Sequence, residues 1–221
     1  MLTPYDWQEG IGHRAQYVEN KLSQGSPVLA LSVSEGIVIF TYRRSARKIY
    51  EIYDRLAFAA VGQQSDIEAL RVAAVDFAHQ EGFNRSEQDV TLQRVVTALS
   101  APVKKAFADF SSAPFVIRAL FAEVGPTIEQ DALAVLDYDG DFVTRKGFAV
   151  VGTSEEQFKG LQTKVGELSA DLTATKAEKA LKELWQGARE EGHDFEDLTP
   201  EIVLLERSDL RENRFKAFEG H

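Results

Sequence analysis

Apolar positions along this chain group into two blocks of short strand-like runs, each followed by a pair of helix-like segments. Val28 to Val33 and Gly36 to Tyr42 are apolar, largely β-branched runs parted only by Ser34 and Glu35, the pattern of a hairpin with a tight polar turn. Lys48 to Tyr53 and Leu56 to Val61 predict a second strand pair joined at Asp54 and Arg55. Ahead of both, Ala15, Val18 and Leu22 fall at i, i+3 and i+7. They predict a short helix over residues 14–24 that Ser23, Gln24 and Gly25 bring to an end.

Ser65-Asp66-Ile67-Glu68 has the form of a capping box, and Ile67, Leu70, Ala74 and Phe77 then keep one helical face apolar to about Gly82. A second helix is predicted from about Asp89 to Phe110, with Leu92, Val95, Val96, Leu99, Val103 and Phe107 on one face and a kink or break at Pro102. Strands follow at Phe115 to Ala122, Ala132 to Asp137, Phe142 to Thr144 and Phe148 to Val151, the middle pair turning at Asp139 and Gly140. Ser154 to Gln157 opens a third helix running to Leu168. Lys176 to Glu190 is a fourth with Leu181 and Leu184 facing the core, and Ile202 to Leu205 is a last strand before a charged, solvated tail over 206–221. This order predicts a mixed α/β (α+β) chain folded as one domain: two stacked sheets with helices on both outer faces, a four-layer α-β-β-α sandwich.

Composition narrows the function classes. The formal charge is −10, from 25 basic and 35 acidic residues, with no Lys- or Arg-rich block, which argues against nucleic acid as a partner. The absence of cysteine removes thiol nucleophiles, disulfides and thiolate metal sites, and fits a reducing, cytoplasmic setting. No apolar run reaches the roughly 18 residues needed to span a bilayer, and residues 1–20 lack the apolar core of a secretion signal.

Candidate metal chemistry fares poorly. Asp137, Asp139 and Asp141 alternate as in a calcium loop, but the sixth and twelfth positions hold Phe142 and Phe148 rather than glycine and a carboxylate, so a solvated hairpin turn is expected. His13, His79, His193 and His221 lack paired ligand spacing and read as surface or helix-face residues. No metal or cofactor is expected. Trp7 and Trp185 read as apolar anchors.

The stretch Arg47 to Gly62, with Glu51-Ile52-Tyr53-Asp54-Arg55 followed by Phe58-Ala59-Ala60 and Gly62, and then Phe83 with Asp89-Val90-Thr91, resembles proteasome subunits, specifically the actinobacterial-type α subunits of bacterial 20S cores. The resemblance runs over nearly the whole chain. It implies the N-terminal-nucleophile hydrolase form of the sandwich, and a ring of seven α-type subunits that caps rings of proteolytic β-type subunits and restricts entry to a threonine-type endopeptidase complex.

Where a proteolytic relative exposes its N-terminal threonine, this chain holds Gly25, preceded by 24 residues. The resemblance therefore implies a non-catalytic gate and scaffold. Tyr5-Asp6 is similar to the start of the family's Tyr-Asp-Arg gate motif, with Trp7 in place of arginine, and Tyr17 falls at the family's helix tyrosine; residues 1–13 would form the gate. Lys48 resembles the pocket lysine that receives the C-terminal carboxylate of an activator tail, from an ATPase or another activator, with Gly25, Gly62 and Gln63 allowing a backbone to approach. A solvent-exposed strand lysine beside Arg43, Arg44 and Arg47 is the plain alternative. So is an active self-compartmentalising hydrolase trimmed between Gly25 and Ser26, since such a nucleophile must carry its own free α-amino group; here Pro27 follows and threonine is absent.

Overall fold

The computed structural model describes residues 4–188, 197–208 and 213–218. They form two five-stranded antiparallel sheets. One sheet runs β10-β9-β2-β1-β8 and the other β3-β4-β5-β6-β7. The elements of the first are β1 (Val28–Val33), β2 (Gly36–Arg43), β8 (Phe148–Val151), β9 (Thr199–Glu206) and β10 (Phe215–Phe218); those of the second are β3 (Ile49–Tyr53), β4 (Leu56–Gly62), β5 (Ile117–Glu123), β6 (Ala132–Leu136) and β7 (Phe142–Arg145).

The strands read as continuous apolar runs because most are covered on both faces, which removes the need for a polar side. Every residue of β1 is buried, and so is every residue of β4 before Gly62. Between the sheets lie Ile37, Ile39, Ala57, Val61, Leu120 and Leu133. On the outer face of the second sheet, α2 (Gln64–Asn84) and α3 (Leu92–Ala108) pack through Leu70, Ala74, Val96 and Leu99 onto Phe58 and Phe121. On the outer face of the first, α4 (Glu155–Gly166) and α5 (Ala174–Gly187) pack through Leu161, Leu181 and Trp185 onto Phe40 and Leu204. The four-layer α-β-β-α arrangement is the one the pattern predicts.

Several local expectations are corrected. The first helix, α1, runs Pro4–Leu22, so the described part of residues 1–13, expected as a gate segment, is helical and continuous with the helix expected only from Arg14. Its front half is held from outside: Gly10 lies against the Phe110 ring, where an added Cβ would stand 2.7 Å from Cε1, and Trp7 meets Phe110 edge-on at 4.9 Å. The capping box at Ser65 does not form. β4 remains paired with the chain before β5 as far as Gln63, whose N–H donates to the Val116 carbonyl at 2.9 Å, so Gln63 becomes the N-cap and Ser65 already lies inside α2. Asp66 accepts instead from the Val116 N–H at 2.8 Å.

The second long helix starts at Leu92 with Thr91 as its cap, behind a short 3-10 turn, η1 (Glu87–Asp89), and continues unbroken through Pro102. Pro102 sits on the exposed side, where its freed carbonyl partner can reach water. At α4 the expected Ser154 cap is present, accepting from the Gln157 N–H. The described tail is not a solvated end: β10 adds to the sheet beside β9, and Arg207 is drawn inward. The expected helix end at Glu190, His193, His221 and residues 209–212 and 219–221 of the tail lie outside the described residues.

Candidate pocket around Lys48

One end of the sandwich gathers the start of β1 and the ends of β2, β4 and β8. Antiparallel pairing puts Val28 opposite Thr41 and Val151, while Gly62 faces Ile117 in the other sheet. At this end the sheets are stitched together by side chains. Lys48, on the approach to β3, sends Nζ across to the Ser26 carbonyl at 3.0 Å and to the Ser26 hydroxyl at 2.6 Å. The Ser26 hydroxyl in turn donates to the Tyr42 carbonyl. The backbone N–H of Lys48 donates to the Glu201 carboxylate at 2.9 Å, and the Lys48 carbonyl accepts from Ala60 at 3.3 Å.

Burial dominates the electrostatics of this cluster. It pulls the Lys48 ammonium down from its usual range to about 8, against the opposing pull of Glu201. The Glu201 carboxyl is pushed upward by its own burial, opposed by N–H donation from Lys48 and Ile49 and by Arg43 and Arg47. Arg43 lies 3.8 Å from Glu201. An ammonium has three donors, and Ser26 takes two of them, leaving one for an incoming anion.

The two glycines have a different reason from the one expected. Gly62 has φ +149°, and a Cβ there would stand 2.0 Å from the Val116 carbonyl oxygen. At Gly25 a Cβ would stand 2.4 Å from Val61 Cγ1. The space is filled by the chain's own neighbouring segments, so both glycines serve the internal approach of strands before any ligand. Gly25, Lys48, Gly62 and Gln63 nevertheless share this end: Gly25 precedes the Ser26 that binds Lys48 and packs on the Val61 that precedes Gly62. Gln63 is exposed.

The three residues expected at the gate lie on α1. Tyr5 is 85% exposed, and Asp6 and Tyr17 are exposed as well. Asp6 lies in the first turn, where a carboxylate complements the helix dipole. Val18 and Leu22 on the opposite side enter the core between the sheets and fix the helix across this end.

Sequence reasoning missed the buried and bridging partners. Glu201 reaches Lys48 from 153 positions away, and no local pattern announces such a pair. Arg118 binds Asp137 at 3.0 Å and Glu19 at 2.8 Å, so Asp137 is tied into the fold rather than part of a solvated turn. Ser26, weighed only as a nucleophile, is the hydrogen-bond partner of Lys48.

The model of the proteasome subunit family matches residues 22–196 of this chain. The proteasome subunit alpha of Kineococcus radiotolerans is 33% identical over 94% of this chain and 89% of its own length. That of Jonesia denitrificans is 32% identical over 88% of this chain and 84% of its own length. That of Streptomyces avermitilis is 28% identical over the whole of this chain and 88% of its own. With a sandwich of this topology, a helix ahead of Gly25 and relatives of one type along its length, the chain belongs to the proteasome subunit family, on its α-type branch.

Proposed function

We propose that this chain is the non-catalytic α-type subunit of a cytoplasmic 20S proteasome core, assembling into a seven-membered outer ring on β-type subunits, restricting entry and taking up activator tails. The observation that carries the reading is the state of Ser26. A nucleophile of this fold needs a free α-amino group and an available hydroxyl, whereas the Ser26 hydroxyl donates to the Tyr42 carbonyl and accepts from Lys48, and α1 just ahead of it packs Val18 and Leu22 into the core. Lys48 then stands as a half-buried cation with one open donor at the end where α1 lies.

Native mass spectrometry of the purified chain, alone and with a β-type partner, tests the reading. Full-length subunits in multiples of seven are expected. A subunit shortened by 25 residues, beginning at Ser26, would replace it with a self-processing hydrolase.

The gate has its own test. Removing residues 2–12 takes away Tyr5, Asp6 and the contact of Trp7 with Phe110 while leaving Val18 and Leu22 in the core. Basal degradation of an unstructured protein by the assembled core is expected to rise several-fold with small-peptide cleavage little changed. An unchanged rate would remove the gate from residues 1–13.

A further inference from the structure

The same end of the sandwich carries opposite charge on its two flanks. On one flank β3 lies beside β9, and at the far end of that flank Arg214 pairs with Asp54 at 3.4 Å. The connection from β2 to β3 on that flank is basic and exposed at Arg44 and Arg47, and neither side chain has an ion-pair partner among the described residues. Tyr50 donates to the Arg47 carbonyl at 2.6 Å, which holds the end of this loop against β3.

On the opposite flank β7 and β8 border an open cleft of about 770 Å³ between α1, the turn from β6 to β7, and the start of α4. Its wall is apolar at Val143, Phe148 and Phe158 and acidic at Asp139, Asp141 and Glu155. Val143 is 49% exposed, a large apolar side chain left uncovered on a strand at the sheet edge. Arg118 also borders the cleft, but its charge is committed to Asp137 and Glu19, and Glu155 pairs at the exposed rim with Lys159 at 2.6 Å, which leaves Arg145 facing Asp139 and Asp141.

We propose that this cleft receives the Arg44 and Arg47 loop of a second copy of the chain. The inference rests on the ring proposed above and assigns the contact between its neighbours. Charge selects the occupant. An activator's terminal carboxylate, a nucleic acid or an anionic lipid surface would meet like charge in the cleft, while the loop offers two exposed guanidiniums suited to bidentate carboxylate pairing, Arg47 acting on Glu201 only at longer range than an ion pair. Geometry selects the symmetry. Loop and cleft sit on opposite flanks of one end, so one subunit's loop reaches its neighbour's cleft while its own cleft stays open. Such a head-to-tail contact builds a ring where its rotation closes, unlike the self-matching patch of a two-fold dimer.

The test is a charge swap in the full-length chain. Arg44→Glu with Arg47→Glu reverses the loop, and Asp141→Lys with Glu155→Lys reverses the cleft. All four side chains are exposed, and the backbone groups of Asp141 keep their bonds to Asp137 and Asp139. Unfolding midpoints near that of the parent establish that each variant folds. By native mass spectrometry at matched concentration, each reversal is expected to cut the ring population about tenfold or more, and the variant carrying all four changes is expected to recover it. Parent-like assembly of either single reversal overturns the contact. Failure of the four-fold variant to recover overturns the pairing. A parent chain that forms no ring with or without a β-type partner overturns the proposed function, and this contact with it.

Discussion

Arg207→Ala is expected to lower the stability of the folded chain by about 3–5 kcal/mol, the range for removing one member of a buried ion pair. Asp131 is fully buried, and both its oxygens are held by Arg207, at 2.7 and 2.9 Å. The same guanidinium donates to the carbonyls of Val33, Ser34 and Gly125, so one side chain joins the β1 to β2 turn, the loop after β5 and the strand end after β9. Alanine leaves the Asp131 charge buried with, among the described residues, only the Gly125 N–H as donor to its carboxylate, at 2.8 Å, and frees three carbonyls. For a chain of this length such a loss corresponds to a fall in unfolding midpoint of roughly 6–20 °C. Thermal or urea unfolding of the purified chain reads it directly. A loss below about 1 kcal/mol would show that water reaches Asp131. Pairing Arg207→Met with Asp131→Leu is expected to recover part of the loss, because no buried charge is then left alone.

Lys48→Glu is expected to abolish activator-stimulated degradation while the assembled core still cleaves small peptides. A charge-assisted hydrogen bond is worth about 1.5–3 kcal/mol, or roughly 10 to 150-fold per tail, and several tails engaged together multiply the loss. Glutamate also turns the site repulsive, with Glu201 and the Ser26 carbonyl already facing it. Lys48→Met separates the two effects, because it removes the cation without adding an anion, and it is expected to lose stimulation as well. Retained stimulation in Lys48→Met would refute the pocket.

The lowered ammonium adds a pH signature. Lys48 is charged below about 8 and neutral above it, so stimulation is expected to decline between pH 7 and 9. The sign for stability is opposite. The unfolded chain keeps its lysine protonated to the ordinary value of 10.5, so the cost of burying this cation is borne below about 8 and relieved as pH rises from there to 10.5.

The layers were legible because periodicity is a property of whole faces. Val28–Val33 and Leu56–Val61 are unbroken apolar runs because the partner sheet covers one side and helices the other. What sequence could not show depends on which segments meet. Ser65 has every local feature of a capping residue, yet pairing at Val116 decides where α2 begins. The tail looks solvated by composition, but Arg207 finds Asp131 only once the sheets are stacked. In the candidate pocket, Lys48 and Gly62 were singled out by the family resemblance and its spacing, while the strand context alone favoured an exposed lysine. Ser26 and Glu201 came from distant positions, and the crowding that demands glycine at 25 and 62 is set by Val61 and Val116.

The two tryptophans give the molecule two optical addresses. Trp185 is buried against Tyr42, and its indole N–H donates to the Pro27 carbonyl at 3.0 Å, so its emission reports a dry site beneath α5. Trp7 is 45% exposed on the front of α1, where its emission reports a wet one. Trp7→Phe leaves a fluorophore that follows loss of the packed core, and Trp185→Phe leaves one that follows the N-terminal helix. Movement of the N-terminal helix and melting of the packed core can thereby be watched separately in the same protein.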